Sequence, residues 1–251
     1  MSIRWHVTFG GHLIRLLSCA LALLAAWSYT IPAMAFEPPT NESGFVALTG
    51  NDGREHWLGY GLDKEKDTWP PNWEFVDGAL HSKGGGGADL KTREQYGDFD
   101  LRFDWKVSPG ANSGVMYRVS QETDPAYFTG PEYQIVDNVG HTDGANPKTS
   151  AASVYDLYAP SSDATKPAGD WNEARIVISH NHVEHYLNGK KVLEYDLGSA
   201  DWNKRVAASK FAEWKSFGKN PIGYVDLQDH GDKVWYRNVR IKSLNDGPKK
   251  K

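Results

Sequence analysis

Apolar and polar residues alternate with a period of two along much of this chain. Phe99-Asp100-Leu101-Arg102-Phe103-Asp104-Trp105 is the clearest run. Successive side chains of a strand leave on opposite faces, so such a run makes a ribbon with one apolar and one polar side. Further runs of this kind are Gly114–Val119, Gly130–Asp137, Arg175–Ile178, Ile222–Leu227 and Val234–Ile241. Two hairpins are written into turn residues. Asp77-Gly78 separates Trp73–Val76 from Ala79–His81, and Asn188-Gly189 separates Val183–Leu187 from Lys191–Leu193. Both dipeptides suit the type I′ turn, whose central positions need positive φ. Only Ala200–Ser216 reads as helical, with Trp202, Val206, Phe211 and Trp214 loosely spaced. Many short antiparallel strands separated by turn residues predict an all-β fold, a two-sheet antiparallel sandwich, with one short helical segment near 200–216.

The first 35 residues follow a different pattern. Arg4 and Arg15 precede an apolar run from Leu16 to Trp27, and Ala33-Met34-Ala35 closes it with small residues. This is the layout of a secretory signal peptide, with Phe36 as the expected mature start and a secreted or periplasmic destination. The apolar run is short for a membrane span, so no span is expected after cleavage. Cys19, the only cysteine, leaves with the signal, and the mature chain then has no thiol or disulfide. Losing two arginines and no acid takes the formal charge from −4 to −6. An acidic exported protein lacks the basic footprint of nucleic-acid binding. A polar extension over 36–43, one domain over 44–245 and a basic tail over 246–251 complete the expected organisation. The Gly84–Gly87 run has no Lys-Ser or Lys-Thr at Walker spacing and reads as a flexible connection, not a phosphate loop.

The most informative chemistry lies in Gly130-Pro131-Glu132-Tyr133-Gln134-Ile135-Val136-Asp137. On a strand, Glu132 and Gln134 share a face while Tyr133 and Ile135 share the other. A carboxylate beside a carboxamide suits the gripping of hydroxyls or the movement of a proton. Alternation also groups Asn112, Gly114, Met116 and Arg118, and separately Asp226, Gln228 and His230. An exposed cross-strand ion pair is the simpler role for Arg118 and Glu132. A turn or bulge hydrogen bond is the simpler role for Asn238, and a turn role for His230. Asp137 stands just beyond its strand. Of the ten tryptophans, Trp5 and Trp27 belong to the signal segment and most of the rest suit core packing; Trp171 and Trp69 are candidates for stacking on the C–H face of a sugar.

Several phrases also occur in a recognisable order. They are Trp73–Leu80 (W-x-x-x-D-G-A-L), Gly97–Trp105, Ala111–Arg118 (A-N-S-G-V-M-Y-R), Gly130–Asp137, Trp171-Asn172, His185–Val192, Asp226–Gly231 (D-L-Q-D-H-G) and Tyr236–Lys242. Together they resemble the 3-keto-disaccharide hydrolase domain family, and the resemblance covers nearly the whole mature chain. It implies the concanavalin A-like jelly roll, with the ligand in the groove of one sheet, and a carbohydrate partner.

Glycosidases of similar fold commonly place two carboxylates at alternate positions of one strand. Here the second position holds Gln134, which departs from that pattern. The family resemblance implies another route. A ketone at carbon 3 acidifies the hydrogen on carbon 2, a base removes it, the enolate expels the carbon 1 substituent, and water adds. The site then needs a base, an acid and groups for the enolate oxygen. Glu132 or His230 is the expected base, with Arg118, Gln134 and Asn112 on the enolate. Asn112, Asp137, Trp171, Gln228 and Asn238 are expected substrate contacts. A divalent cation would serve as a Lewis acid, with Glu132, Asp137 and His230 as its candidate ligands. The alternative is a lectin-like module that binds carbohydrate without turnover, since fold alone does not fix function.

Overall fold

The structure, a computed structural model, describes Met1 and residues 42–50, 53–61, 68–123 and 125–244. The signal segment, most of the polar extension and the basic tail lie outside the described residues. Phe36–Lys251 forms one compact unit, and among the described residues no helix is long and apolar enough to cross a membrane.

The strands are β1 (Val46–Ala47), β2 (Trp57–Gly59), β3 (Trp73–Val76), β4 (Ala79–Lys83), β5 (Leu90–Thr92), β6 (Phe99–Val107), β7 (Asn112–Val119), β8 (Glu132–Val136), β9 (Asn172–Ser179), β10 (His182–Leu187), β11 (Lys190–Asp196), β12 (Tyr224–Leu227) and β13 (Lys233–Ser243). They build the expected pair of antiparallel sheets. One sheet runs β11-β10-β9-β6-β13-β4-β3 with β1 also on β13; the other runs β2-β5-β12-β7-β8. Both predicted hairpins form, with Asp77, Gly78, Asn188 and Gly189 all at positive φ.

The alternation read from the sequence is the sandwich interior. Phe103, Trp105, Val115, Tyr117, Tyr133, Ile135, Val225 and Tyr236 are buried, each contributing roughly 1.5–3 kcal/mol of apolar burial. Phe103 meets Tyr133 edge-to-face across the two sheets, with ring centroids 5.8 Å apart. At the centre, His185 lies between the Tyr117 hydroxyl and the Ala152 carbonyl. Burial pulls its pKa down to about 4.

The helical segment is α1 (Ala200–Ala207), followed by a 3₁₀ turn at Lys210–Glu213. The Ser199 hydroxyl accepts from the Trp202 amide and caps α1. Trp202 then stacks on Tyr195 and Phe217, which fixes the segment over the end of the sandwich. Short 3₁₀ turns also occur at Ala126–Phe128 and Thr142–Ala145. The last residues of the predicted extension are bound: Glu42 accepts from both Arg102 and Arg240.

Candidate active site

A cleft of about 850 Å³ lies on the outer face of the five-stranded sheet. Its floor comes from neighbouring strands. β7 brings Asn112, and β8 brings Glu132 and Gln134; Gly114 of β7 lies directly opposite Gln134, and Met116 opposite Glu132. Gln228 follows β12, where its amide donates to the Gly114 carbonyl, and His230 stands beyond it at the rim. Five of the predicted residues therefore meet in one cleft: Asn112, Glu132, Gln134, Gln228 and His230.

Gly114 is what lets Glu132 lie where it does. The Glu132 side chain crosses directly above the Gly114 Cα, so that a Cβ there would collide with its carboxylate. Among the described residues, no side chain or amide hydrogen-bonds that carboxylate. Burial first, and then the charges of Asp89 and Asp143, push its pKa up to about 8 against the opposing pull of Lys210. Beneath the floor, Asp226 is fully buried in register with Met116. Burial and the neighbouring Asp89 raise its pKa well above the ordinary carboxylate value, against the pull of Lys91.

The amides of the floor have fixed orientations. Asn112 Nδ2 donates to Asp143 Oδ2 at 3.1 Å, and Gln134 Nε2 donates to the Thr149 carbonyl at 3.0 Å. Both partners are acceptors only, so each nitrogen must face its partner and each oxygen must face the other way. The atom that Gln134 leaves unpaired is thus Oε1, an acceptor, rather than the donor expected for an enolate.

The walls were not legible in the strand pattern. Pro125, Tyr127, Phe128, Phe211 and Trp214 form an aromatic side, with Phe128 and Trp214 centroids 4.5 Å apart. Asp143 and Tyr155 also line the cleft, and the Tyr155 hydroxyl pKa is pushed up to about 12 by burial and by the charges of Asp143 and Glu132. Lys210 Nζ lies 4.3 Å from the Tyr155 ring centre and is, among the described residues, the one lysine lining the cleft. Gly86, Gly87 and Ala88 complete the rim. The glycine run predicted as a plain connection is thus part of the site, and Gly87 packs so closely on Asn72 that a Cβ would not fit.

Four predicted site residues lie elsewhere. Arg118 is buried, with its guanidinium paired to Asp98 at 3.1 Å and bonded to the carbonyls of Gly97 and His180. The cause is a bulge: between Tyr224/Val119 and Asp226/Met116 the pairing slips by one residue, and Arg118 takes φ +52°. Strict alternation ends there, so Arg118 leaves the face shared by Asn112 and Gly114. Asp137 caps a turn, accepting from the amides of Gly110 and Val139, which lower its pKa once its burial is outweighed. Trp171 sits on the outer face of the other sheet, with Arg237 4.1 Å and Lys106 4.9 Å from its ring centre. Asn238 occupies a bulge of β13 at φ +52° and donates to Asp104. Trp69, the other stacking candidate, packs on Phe75 and donates to the Trp73 carbonyl.

The expected cation ligands are not assembled, because Asp137 is held by its turn while Glu132 and His230 line the cleft. Among the described residues the converging group of three is His182, Glu184 and Glu194. Lys191 already bridges the two glutamates at 3.0 and 2.6 Å.

Comparison with known proteins places the whole sandwich. Residues 44–242 match the family described as the 3-keto-alpha-glucoside-1,2-lyase-like domain. A 3-keto-disaccharide hydrolase of Bacteroides thetaiotaomicron is 34% identical over 238 residues, covering 82% of this chain and 81% of that protein. A crystal structure of a candidate glycosyl hydrolase from Parabacteroides distasonis superposes with a TM-score of 0.74 at 29% identity, covering 80% of this chain and 94% of that one. A second from the same organism gives 0.61 at 26% identity, covering 80% and 99%.

Proposed function

The chain belongs to the 3-keto-alpha-glucoside-1,2-lyase-like domain family, and from that premise we propose that its cleft cleaves 3-keto-glycosides, 3-keto-disaccharides among them, by elimination and hydration. The observation that carries this reading is Glu132: a carboxylate without a hydrogen-bond partner among the described residues, on the floor of a sugar-sized cleft, with its pKa pushed up to about 8. A general base works best when its pKa is near the operating pH.

In this reading Glu132 takes the proton from carbon 2, and the electron pair moves onto the oxygen of carbon 3. Lys210 stabilises that enolate oxygen, the task first expected of Arg118 and Gln134. The ketone re-forms as the carbon 1–oxygen bond breaks, leaving a double bond between carbons 1 and 2. The departing oxygen takes a proton from His230 at the rim. Water adds across the double bond, so the net reaction is hydrolysis. The aromatic side formed by Phe128 and Trp214 carries the apolar face of a sugar ring. The amino-terminal 35 residues, read as an export signal, would deliver this activity outside the cytoplasm.

The test is incubation of the purified protein with 3-keto-trehalose and with simple 3-keto-glucosides, with and without divalent cations. The expected result is release of the free keto sugar. No release above the buffer blank for any of them refutes the proposal.

A further inference from the structure

The floor carries two buried oxygens that the protein leaves unpaired. Asn112 is 3% exposed and Gln134 is wholly buried, and Asn112 Oδ1 and Gln134 Oε1 have no hydrogen-bond partner among the described residues. An unmade hydrogen bond at a buried polar atom is expensive, so a partner is normally present. Neither amide can turn over to relieve this, because Asp143 and the Thr149 carbonyl hold the two nitrogens. The two side chains flank Gly114, one two residues before it on β7 and one opposite it on β8, and both line the cleft.

We propose that Asn112 Oδ1 and Gln134 Oε1 form an acceptor-only subsite that receives two hydroxyl donors of the substrate's sugar. A ketone oxygen has no hydrogen to give and is excluded from this pair. The substrate class is therefore a ring that keeps free hydroxyls beside its oxidised carbon. The ring sits with those hydroxyls on the Asn112 and Gln134 side and its ketone turned to Lys210. A cation would also take oxygen ligands, but the acidic and histidine groups of the cleft do not converge in a set of three among the described residues. The aromatic wall at Phe128 and Trp214 suits a sugar ring instead.

This inference rests on the carbohydrate reading above, and its test separates the two. The probe is 1,5-anhydro-3-keto-glucitol, which has no leaving group at carbon 1, together with analogues carrying fluorine in place of the hydroxyl at carbon 2, 4 or 6. Calorimetric titration of the wild-type protein is expected to show two of the three analogues binding at least about tenfold more weakly, about 1.4 kcal/mol each. In Gln134→Met one of those two penalties is expected to shrink below about threefold. All three analogues binding within about threefold of the parent overturns the subsite, as does stoichiometric calcium binding that Gln134→Met abolishes. If only unoxidised anhydroglucitol binds, the keto-sugar reading fails while the same fluorine series on that ligand still decides the subsite. If neither sugar binds, both readings fall.

Discussion

Replacing Gly114 by alanine adds one methyl group beneath the Glu132 carboxylate. The Gly114 backbone is not in the left-handed region, so alanine meets no conformational penalty there. The new Cβ would lie 2.7 Å from Glu132 Cδ and 2.8 Å from Cγ, separations that real Cβ atoms do not tolerate. What must move is the end of a flexible side chain, which is cheap for stability. Alanine also restricts the unfolded chain more than glycine does, a gain of about 0.4–1 kcal/mol. Thermal unfolding should therefore stay within a few degrees of wild type. Catalysis is the sensitive quantity. A misplacement on the order of 1 Å costs about 10²-fold, so kcat/KM for a 3-keto-glucoside should fall about a hundredfold, about 2.7 kcal/mol of transition-state stabilisation. Matched progress curves and calorimetric melts of the two proteins make the measurement. A variant active within about threefold of wild type would show that Glu132 does not act from above Gly114.

Glu132→Gln should lower kcat by about 10²–10⁴-fold, the usual contribution of a general base. In wild type kcat/KM should rise with pH towards a plateau above about 8; a fall over that range would make Glu132 an acid instead. The same group also bears on stability. Its folded pKa is raised, so its proton favours the native state below about 4.5 and that contribution is lost as pH rises through about 8. Wild type should accordingly lose melting temperature relative to Glu132→Gln between pH 5 and pH 8, and parallel curves would contradict the raised value. Lys210→Met should cut kcat about 10²–10³-fold and move the acid limb of the pH profile upward, because the Lys210 charge now lowers the Glu132 pKa; an unmoved limb would separate the two groups. Arg118→Met leaves Asp98 buried without its guanidinium, so it should destabilise by about 3–5 kcal/mol in denaturant melts. Its kcat, measured well below the melting temperature, should stay near wild type.

The parts of the site legible in the sequence are those that a period of two determines. Glu132 and Gln134 stand on the polar side of β8 because Tyr133 and Ile135 must face the core. Asn112 and Gly114 follow in the same way on β7. Arg118 continues the same arithmetic and still fails, because a bulge inserts one residue and turns it into a buried ion pair. Asn238 shows the same limit on β13. Periodicity carries no information about where a strand will slip. Lys210, Asp89, Asp143, Tyr155 and Trp214 lie in connections whose positions depend on long-range packing, and no local pattern brings them beside Glu132. The segment expected as helical near 200–216 holds one short helix, Ala200–Ala207, and nothing in its spacing says that the 3₁₀ turn holding Lys210 lines the cleft. Residue type alone points Trp171 to sugar stacking, whereas it lies outside the cleft with Arg237 and Lys106 packed on its ring.

The wedge of Trp202 between Tyr195 and Phe217 has an evolutionary corollary. It moors the insertion between β11 and β12 to the sandwich through side chains that do not line the cleft. Trp214 can therefore be exchanged for another side chain while Lys210 and the acid on β8 keep their footing. A descendant can thus vary the wall of its cleft at single positions while the anchored stretch that carries Lys210 stays in place.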